Sequence, residues 1–164
     1  MHPPAKDHLY QHSLRAIGIY LDKEQPRRFT LIEVTGGFTL VTQRGESPDS
    51  LQEQHFTSSE IQGLGQRFLH GRKVLGNRFS SSWRLVPSGR QDFLRSLGYE
   101  LDDSHAHSLL LDELDDGMLV TYSYIDPSQG FQWRKQMNCL QLDHMKNMVD
   151  LARNRRHRRH FLRR

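Results

Sequence analysis

Apolar positions along this chain fall into two matching series. Tyr10, Leu14, Ile17 and Leu21 recur at steps of three and four residues, as do Phe93, Leu97 and Leu101, which is the spacing that lines one face of a helix. Each series is followed by a strand-turn-strand pattern, Phe29 to Val41 and His107 to Tyr122, broken by glycine at 37 and 117. A third strand is predicted near Gln54 to Thr57 in the first series and near Gln132 to Leu142 in the second. A closing helix then starts at Ser58 or Ser59 with Ile61, Leu64 and Phe68 inward, and again at Asp143 with Met145, Met148, Val149 and Ala152 inward. The element order is therefore α-β-β-β-α, written twice. The pattern leaves open which face of the first strand is buried, because Phe29 and Leu31 point opposite to Ile32 and Val34.

The two series also agree residue by residue. Tyr10 to Thr42 and Arg90 to Tyr122 align without a gap at an offset of 80, sharing Gln11/Gln91, Leu14/Leu94, Arg15/Arg95, Gly18/Gly98, Leu21/Leu101, Asp22/Asp102, Leu31/Leu111, Glu33/Glu113 and Gly37/Gly117. The offset grows to 84 at the closing helix. This reads as a tandem duplication. The expected architecture is α+β: two tandem α-β-β-β-α repeats with pseudo-twofold symmetry and antiparallel hairpins packed on helices. Repeat 1 spans 8–72, a connector 73–87, repeat 2 88–152 and an arginine-rich tail 153–164. A glycine inside a helix stripe costs about 1 kcal/mol relative to alanine, so Gly18 and Gly98 are expected to let a helix approach a sheet closely. Gly37 and Gly117 are expected to hold the left-handed position of a hairpin turn. Arg15/Asp22 and Arg95/Asp102 read as structural ion pairs or exposed flanks.

The element order is similar to that of the double-stranded RNA-binding domain and of small secretion-chaperone folds, at the level of topology. The first family's basic, alanine-rich second-helix start is absent from Ser58-Ser59-Glu60-Ile61 and Leu142-Asp143-His144-Met145. Leu-Arg-x-(Ile/Leu)-Gly-x-x-Leu-Asp at 14–22 and 94–102, followed by Glu-x-x-x-Gly-(Phe/Met) at 33–38 and 113–118, resembles an uncharacterised bacterial family carrying the same duplicated unit. The resemblance covers most of the chain and implies no activity.

Charge changes the picture. The net +4 arises in residues 153 to 164, which hold seven arginines and no acid. Without them 16 Lys+Arg face 19 Asp+Glu, and residues 83 to 152 count 6 basic against 11 acidic side chains. A basic tail on a mildly acidic body points to a polyanion or to docking of the tail on the second repeat. Cys139 is the only cysteine, so no intramolecular disulfide can form and a reducing, cytoplasmic setting is expected. No apolar run reads as a signal peptide or a membrane span, and no membrane partner is expected.

Four features could carry chemistry. Arg153, Arg155, Arg156, Arg158, Arg159, Arg163 and Arg164 continue the last helix's register, and their guanidinium forks suit the phosphates of nucleic acid or the carboxylates of an acidic protein. A hairpin around Asp126 to Gly130, centred on Ser128-Gln129, would set Tyr124 opposite Trp133 and Tyr122 opposite Lys135, giving either a stacking platform or core beneath the helices. The acidic residues Asp102, Asp103, Asp112, Glu113, Asp115 and Asp116 lack the spacing of a calcium loop; solvated carboxylates are the simpler reading, while Glu33 and Glu113 could meet across a twofold. His8/His12 and His105/His107 have spacings that permit a metal but no further ligands at diagnostic distance. Cys139, in a strand-like run, reads as a buried small hydrophobe. No catalytic constellation, cofactor or metal is expected. The chain reads as a non-enzymatic binding module contacting nucleic acid or another polyanion through its tail; the alternative is a protein-interaction or chaperone-like scaffold that binds a peptide or partner protein, its tail having no specific function.

Overall fold

The computed structural model describes residues 9–69 and 89–162. Their elements run α1 (Tyr10–Glu24), β1 (Arg28–Val34), β2 (Gly37–Gln43), β3 (Leu51–Thr57), α2 (Ser58–Leu69), α3 (Gly89–Asp103), β4 (His107–Leu114), β5 (Gly117–Ile125), β6 (Trp133–Gln141) and α4 (Leu142–Leu162). The expected connector, 73–87, lies outside the described residues. The fold is mixed α+β: the strands form one six-stranded sheet of order β3-β2-β1-β4-β5-β6, antiparallel throughout.

Strand side chains alternate between the two faces of a sheet, and among the described residues the helices cover one of them. Phe29 and Leu31, Phe38 and Leu40, Leu109 and Leu111, and Met118 and Val120 are all buried, in one core with Leu14, Ile17, Leu94 and Leu97 of the helices. The ambiguity in β1 thus resolves toward Phe29 and Leu31. The helices form a single layer over that face, with α1 against α3, α2 outside α1 and α4 outside α3. Ile61 of α2 and Met145, Met148, Val149 and Ala152 of α4 point inward as their spacing predicts; the Leu64 and Phe68 side chains lie outside the described residues. At the centre β1 meets β4, with Leu31 opposite Leu111, Thr30 opposite Asp112 and Ile32 opposite Leu110.

The recurrent glycines have different uses from those expected. Gly18 and Gly98 serve helix-helix packing rather than helix-sheet packing. A Cβ on Gly18 would lie 2.6 Å from Gln91 Cα, and one on Gly98 would lie 2.6 Å from Gln11 Cα. Only a residue without a side chain lets the two backbones meet this closely. Gly37 and Gly117 are not left-handed: the positive φ in the first hairpin belongs to Gly36 (82°), and the second turn, Asp115-Asp116, contains none. Each instead opens a strand where the third strand crowds it, since a Cβ would overlap the carbonyl oxygen of Phe56 or Leu140.

Asp22 and Asp102 prove to be helix caps. α1 begins after Leu9, which offers no side-chain acceptor, and the first N–H groups of a helix have no partner within it. Asp102, at the far end of α3, accepts them: Tyr10 N–H donates to Oδ1 (2.9 Å) and Gln11 N–H to Oδ2 (3.0 Å). Asp22, near the end of α1, accepts Arg90 N–H (3.2 Å) and Gln91 N–H (3.1 Å) at the start of α3. Each carboxylate also faces the positive end of the partner helix dipole. A cap of this kind is worth about 0.5–2 kcal/mol.

Candidate functional site

The arginine-rich segment is carried on α4, which continues as a single helix to Leu162. Its backbone therefore places Arg153, Arg155, Arg156, Arg158 and Arg159 on helical turns beyond the buried Met145 to Ala152 anchor. Arg163 and Arg164 lie outside the described residues, as do the side chains of the other five.

The aromatic residues do not form one platform. Tyr124 lies opposite Arg134 and Tyr122 opposite Gln136, while Trp133 lies opposite Ile125 and Lys135 opposite Ser123. This register is one residue away from the expected one, and a slip of one residue sends side chains to the other face. The cause is the connection. Rather than a tight turn at Ser128-Gln129, a loop runs from Asp126 to Gln132, with a 3-10 turn at Pro127–Gln129. Asp126 Oδ1 nucleates it by accepting Ser128 N–H (3.0 Å) and Ser128 Oγ (2.7 Å). Those two hydrogen bonds hold the Asp126 carboxyl below its ordinary range.

Tyr122 and Tyr124 consequently stand on the helix side, half-buried, with ring centroids 6.1 Å apart. Trp133 and Lys135 stand on the uncovered side. There the Trp133 ring packs edge-on against His107, with centroids 4.8 Å apart. His107 reaches that face because β4 is irregular between His107 and Leu110, where Ser108 adopts φ 54°. The same side exposes Trp133 (43%), Met137 (59%) and Leu51 (54%). Cys139 shares it and is exposed, not buried as expected.

The acidic residues are dispersed by the fold. Asp102 caps α1, Asp112 accepts Thr30 Oγ1 (2.9 Å), and Asp115 pairs with Arg28. Glu33 and Glu113 do not meet. Antiparallel pairing of β1 and β4 about Leu31 and Leu111 carries them to opposite ends of the seam, and each takes its own donor. Glu113, fully buried, receives Arg90 Nη2 (2.9 Å) and Nε (3.2 Å), and Arg90 also donates to the Pro26 carbonyl (2.8 Å). Glu33 accepts the Tyr10 hydroxyl and Leu109 N–H (2.9 Å). Burial raises the Tyr10 phenol far above its ordinary value, and the Glu33 carboxylate raises it further. His105, with φ 52°, sits in the turn before β4 rather than on a strand face with His107, and His8 lies outside the described residues. Among the described residues no three His, Cys, Asp or Glu side chains gather as metal ligands, and no helix is long and apolar enough to cross a membrane.

One feature was not foreseen in the sequence. Between α3 and the β5-β6 pair lies an open cavity of about 80 Å³. Leu97, Leu101, Val120 and Leu140 form its apolar floor; Glu100, Ser104, Tyr122 and Asn138 form its polar rim. Burial pushes the Tyr122 phenol up; Ser104 beside it pulls the other way, and Tyr124 and Glu100 add to the rise. The signal available in the sequence was the absence of matching aromatics, since Glu100 stands 80 residues after Tyr20 and Leu140 stands 84 after Phe56. In comparisons with protein-family models, with curated proteins and with solved structures, nothing matches this chain.

Proposed function

We propose that this chain is a non-enzymatic binding module in which residues 153–164 contact the phosphates of nucleic acid, or another polyanion, while the α+β body serves as scaffold. The observation that carries this reading is the continuity of α4 from its buried anchor to Leu162. An anchored helix holds its guanidinium groups along a rod, so less side-chain and backbone freedom is lost on binding than from a free tail. Guanidinium forks match phosphate oxygens, and release of condensed counterions makes such binding steeply salt-dependent. Retention of the full chain on heparin and on duplex DNA tests it against a variant with Arg155, Arg156, Arg158 and Arg159 all changed to Gln. The variant is expected to elute at lower salt, with the slope of log K against log salt reduced by about 0.9 for each duplex phosphate that is no longer neutralised. Equal elution of the two proteins would overturn the reading.

The body is proposed to be two copies of one α-β-β-β-α unit about an approximate twofold. Supporting this are the reciprocal caps of Asp22 and Asp102, the reciprocal contacts of Gly18 and Gly98, and the pairing of Leu31 with its own counterpart Leu111.

A second reading, a protein-interaction or chaperone-like scaffold, is favoured by the uncovered sheet face that exposes Trp133, Met137 and Leu51. In a Trp83→Phe chain, Trp133 emission is expected to be red-shifted and readily quenched; protected emission would remove this reading.

A further inference from the structure

The cavity beside α3 lies where the second half of the chain lacks two aromatic residues that the first half has. In the first half Tyr20 packs edge-on against Phe56, with ring centroids 5.6 Å apart, and its hydroxyl donates to Gln54 Oε1 (2.6 Å). The chain thus supplies its own occupant there: an apolar body over the sheet, with a donor head held by a side-chain carbonyl. In the second half the matching positions are Glu100, Leu140 and Asn138. The strand registers agree, since Leu40 lies opposite Gln54 as Val120 lies opposite Asn138, and Phe38 opposite Phe56 as Met118 opposite Leu140. The apolar floor is kept, the ring that would cover it is gone, and a carboxylate takes its place at the rim.

What remains is an apolar floor with a carboxylate at its rim, beside the Ser104 and Tyr122 hydroxyls. Asn138 lines the cavity from β6, and its Oδ1 accepts Gln136 Nε2 (2.8 Å). Among the described residues no ion pair or side-chain hydrogen bond engages the Glu100 carboxylate, which is exposed. Tyr122 adds its hydroxyl and ring to the same rim. The space corresponds to about five to eight water-sized groups, taking ~10–15 Å³ for each. A short alkyl stem lying on Leu97, Leu101 and Val120 places a cationic head at the Glu100 carboxylate, with the Ser104 and Tyr122 hydroxyl oxygens as further acceptors. We propose that this cavity is a binding site for an alkylguanidinium or alkylammonium group, carried by a free amine or by an arginine or lysine side chain of a partner peptide. The site stands apart from the basic helix and does not depend on the polyanion reading.

The full chain, methyl-labelled for NMR, is titrated with n-butylguanidine, n-butanol, p-cresol and a short blocked peptide containing one arginine in alanines. Saturable shifts at Leu97, Val120 and Leu140 are expected with n-butylguanidine, with Kd on the order of 1 mM for a ligand of this size. The Glu100→Gln variant, which alters an exposed group, is expected to keep its melting temperature and bind about five- to tenfold more weakly. The Glu100→Tyr/Leu140→Phe variant, which restores the first-half residues, is expected to abolish the shifts. Tighter binding of the peptide than of n-butylguanidine assigns the group to a partner's side chain; equal or weaker binding assigns it to a free amine. Absence of saturable shifts at tens of millimolar, equal response to n-butanol or p-cresol, or unchanged affinity in Glu100→Gln would each overturn the proposal.

Discussion

Gly18 lies so close to Gln91 that a Cβ would stand 2.6 Å from the Gln91 Cα, well inside any ordinary contact. The obstacle is backbone, which cannot swing away as the end of a flexible side chain can. Two opposed effects act on Gly18→Ala: alanine gains about 1 kcal/mol of helix propensity, while forcing α1 and α3 apart costs typically 1–3 kcal/mol or more. Because the whole helix interface must shift, the second effect dominates. Gly18→Ala and Gly98→Ala are each expected to lower the unfolding free energy measured in urea by a net 1 kcal/mol or more, about what overpacking costs in a tight core. A variant as stable as the parent would show that the helices are not in backbone contact.

Arg90 and Glu113 are 1% and 0% exposed and joined by two hydrogen bonds. Removing one partner strands a charge out of water, whereas removing both removes the problem. Arg90→Met and Glu113→Leu are each expected to destabilise by about 3–5 kcal/mol, and Arg90→Met/Glu113→Leu by less than either. A double-mutant cycle in urea measures this; strictly additive losses would contradict the pairing.

Tyr10 donates its hydroxyl to Glu33 from a fully buried position, and its folded-state pKa is raised. The unfolded phenol ionises near pH 10, whereas the folded one keeps its proton, so above that pH the native state binds more protons than the unfolded state. Stability is fully present below about pH 10 and is lost above it at about 1.4 kcal/mol per pH unit. Tyr10→Phe is expected to cost about 1–3 kcal/mol at neutral pH, mostly because Glu33 then loses the hydroxyl donor and keeps Leu109 N–H. It is also expected to flatten the alkaline limb. An unchanged slope between pH 10 and 11 would refute the assignment.

Much of the scaffold was legible because its signals are local. A helix repeats every 3.6 residues and a strand every two, and both periods can be counted in the chain. Leu14, Ile17 and Leu21 on α1 and Met145, Met148, Val149 and Ala152 on α4 are inward as that periodicity requires. The 80-residue offset marked Gly18, Asp22 and Gly37 as positions to explain, but their explanations lie in contacts with Gln91, with the start of α3 and with the Phe56 carbonyl. None of those partners is adjacent in sequence.

The candidate site was less legible for the same reason. Tyr122 and Trp133 parted because one loop residue set the β5-β6 register, and Cys139 proved exposed because, among the described residues, no helix lies on its side of the sheet. The order of elements, the position of the hairpins and the concentration of positive charge after Ala152 follow from the sequence by itself, since each depends on residues within a few turns of one another. Only the tertiary structure decided which face is covered, which residues cap which helix and that Glu100 opens onto a cavity where Tyr20 packs on Phe56. Those outcomes depend on how distant segments approach, and the free energy of that approach is shared among contacts that no single stretch of chain contains.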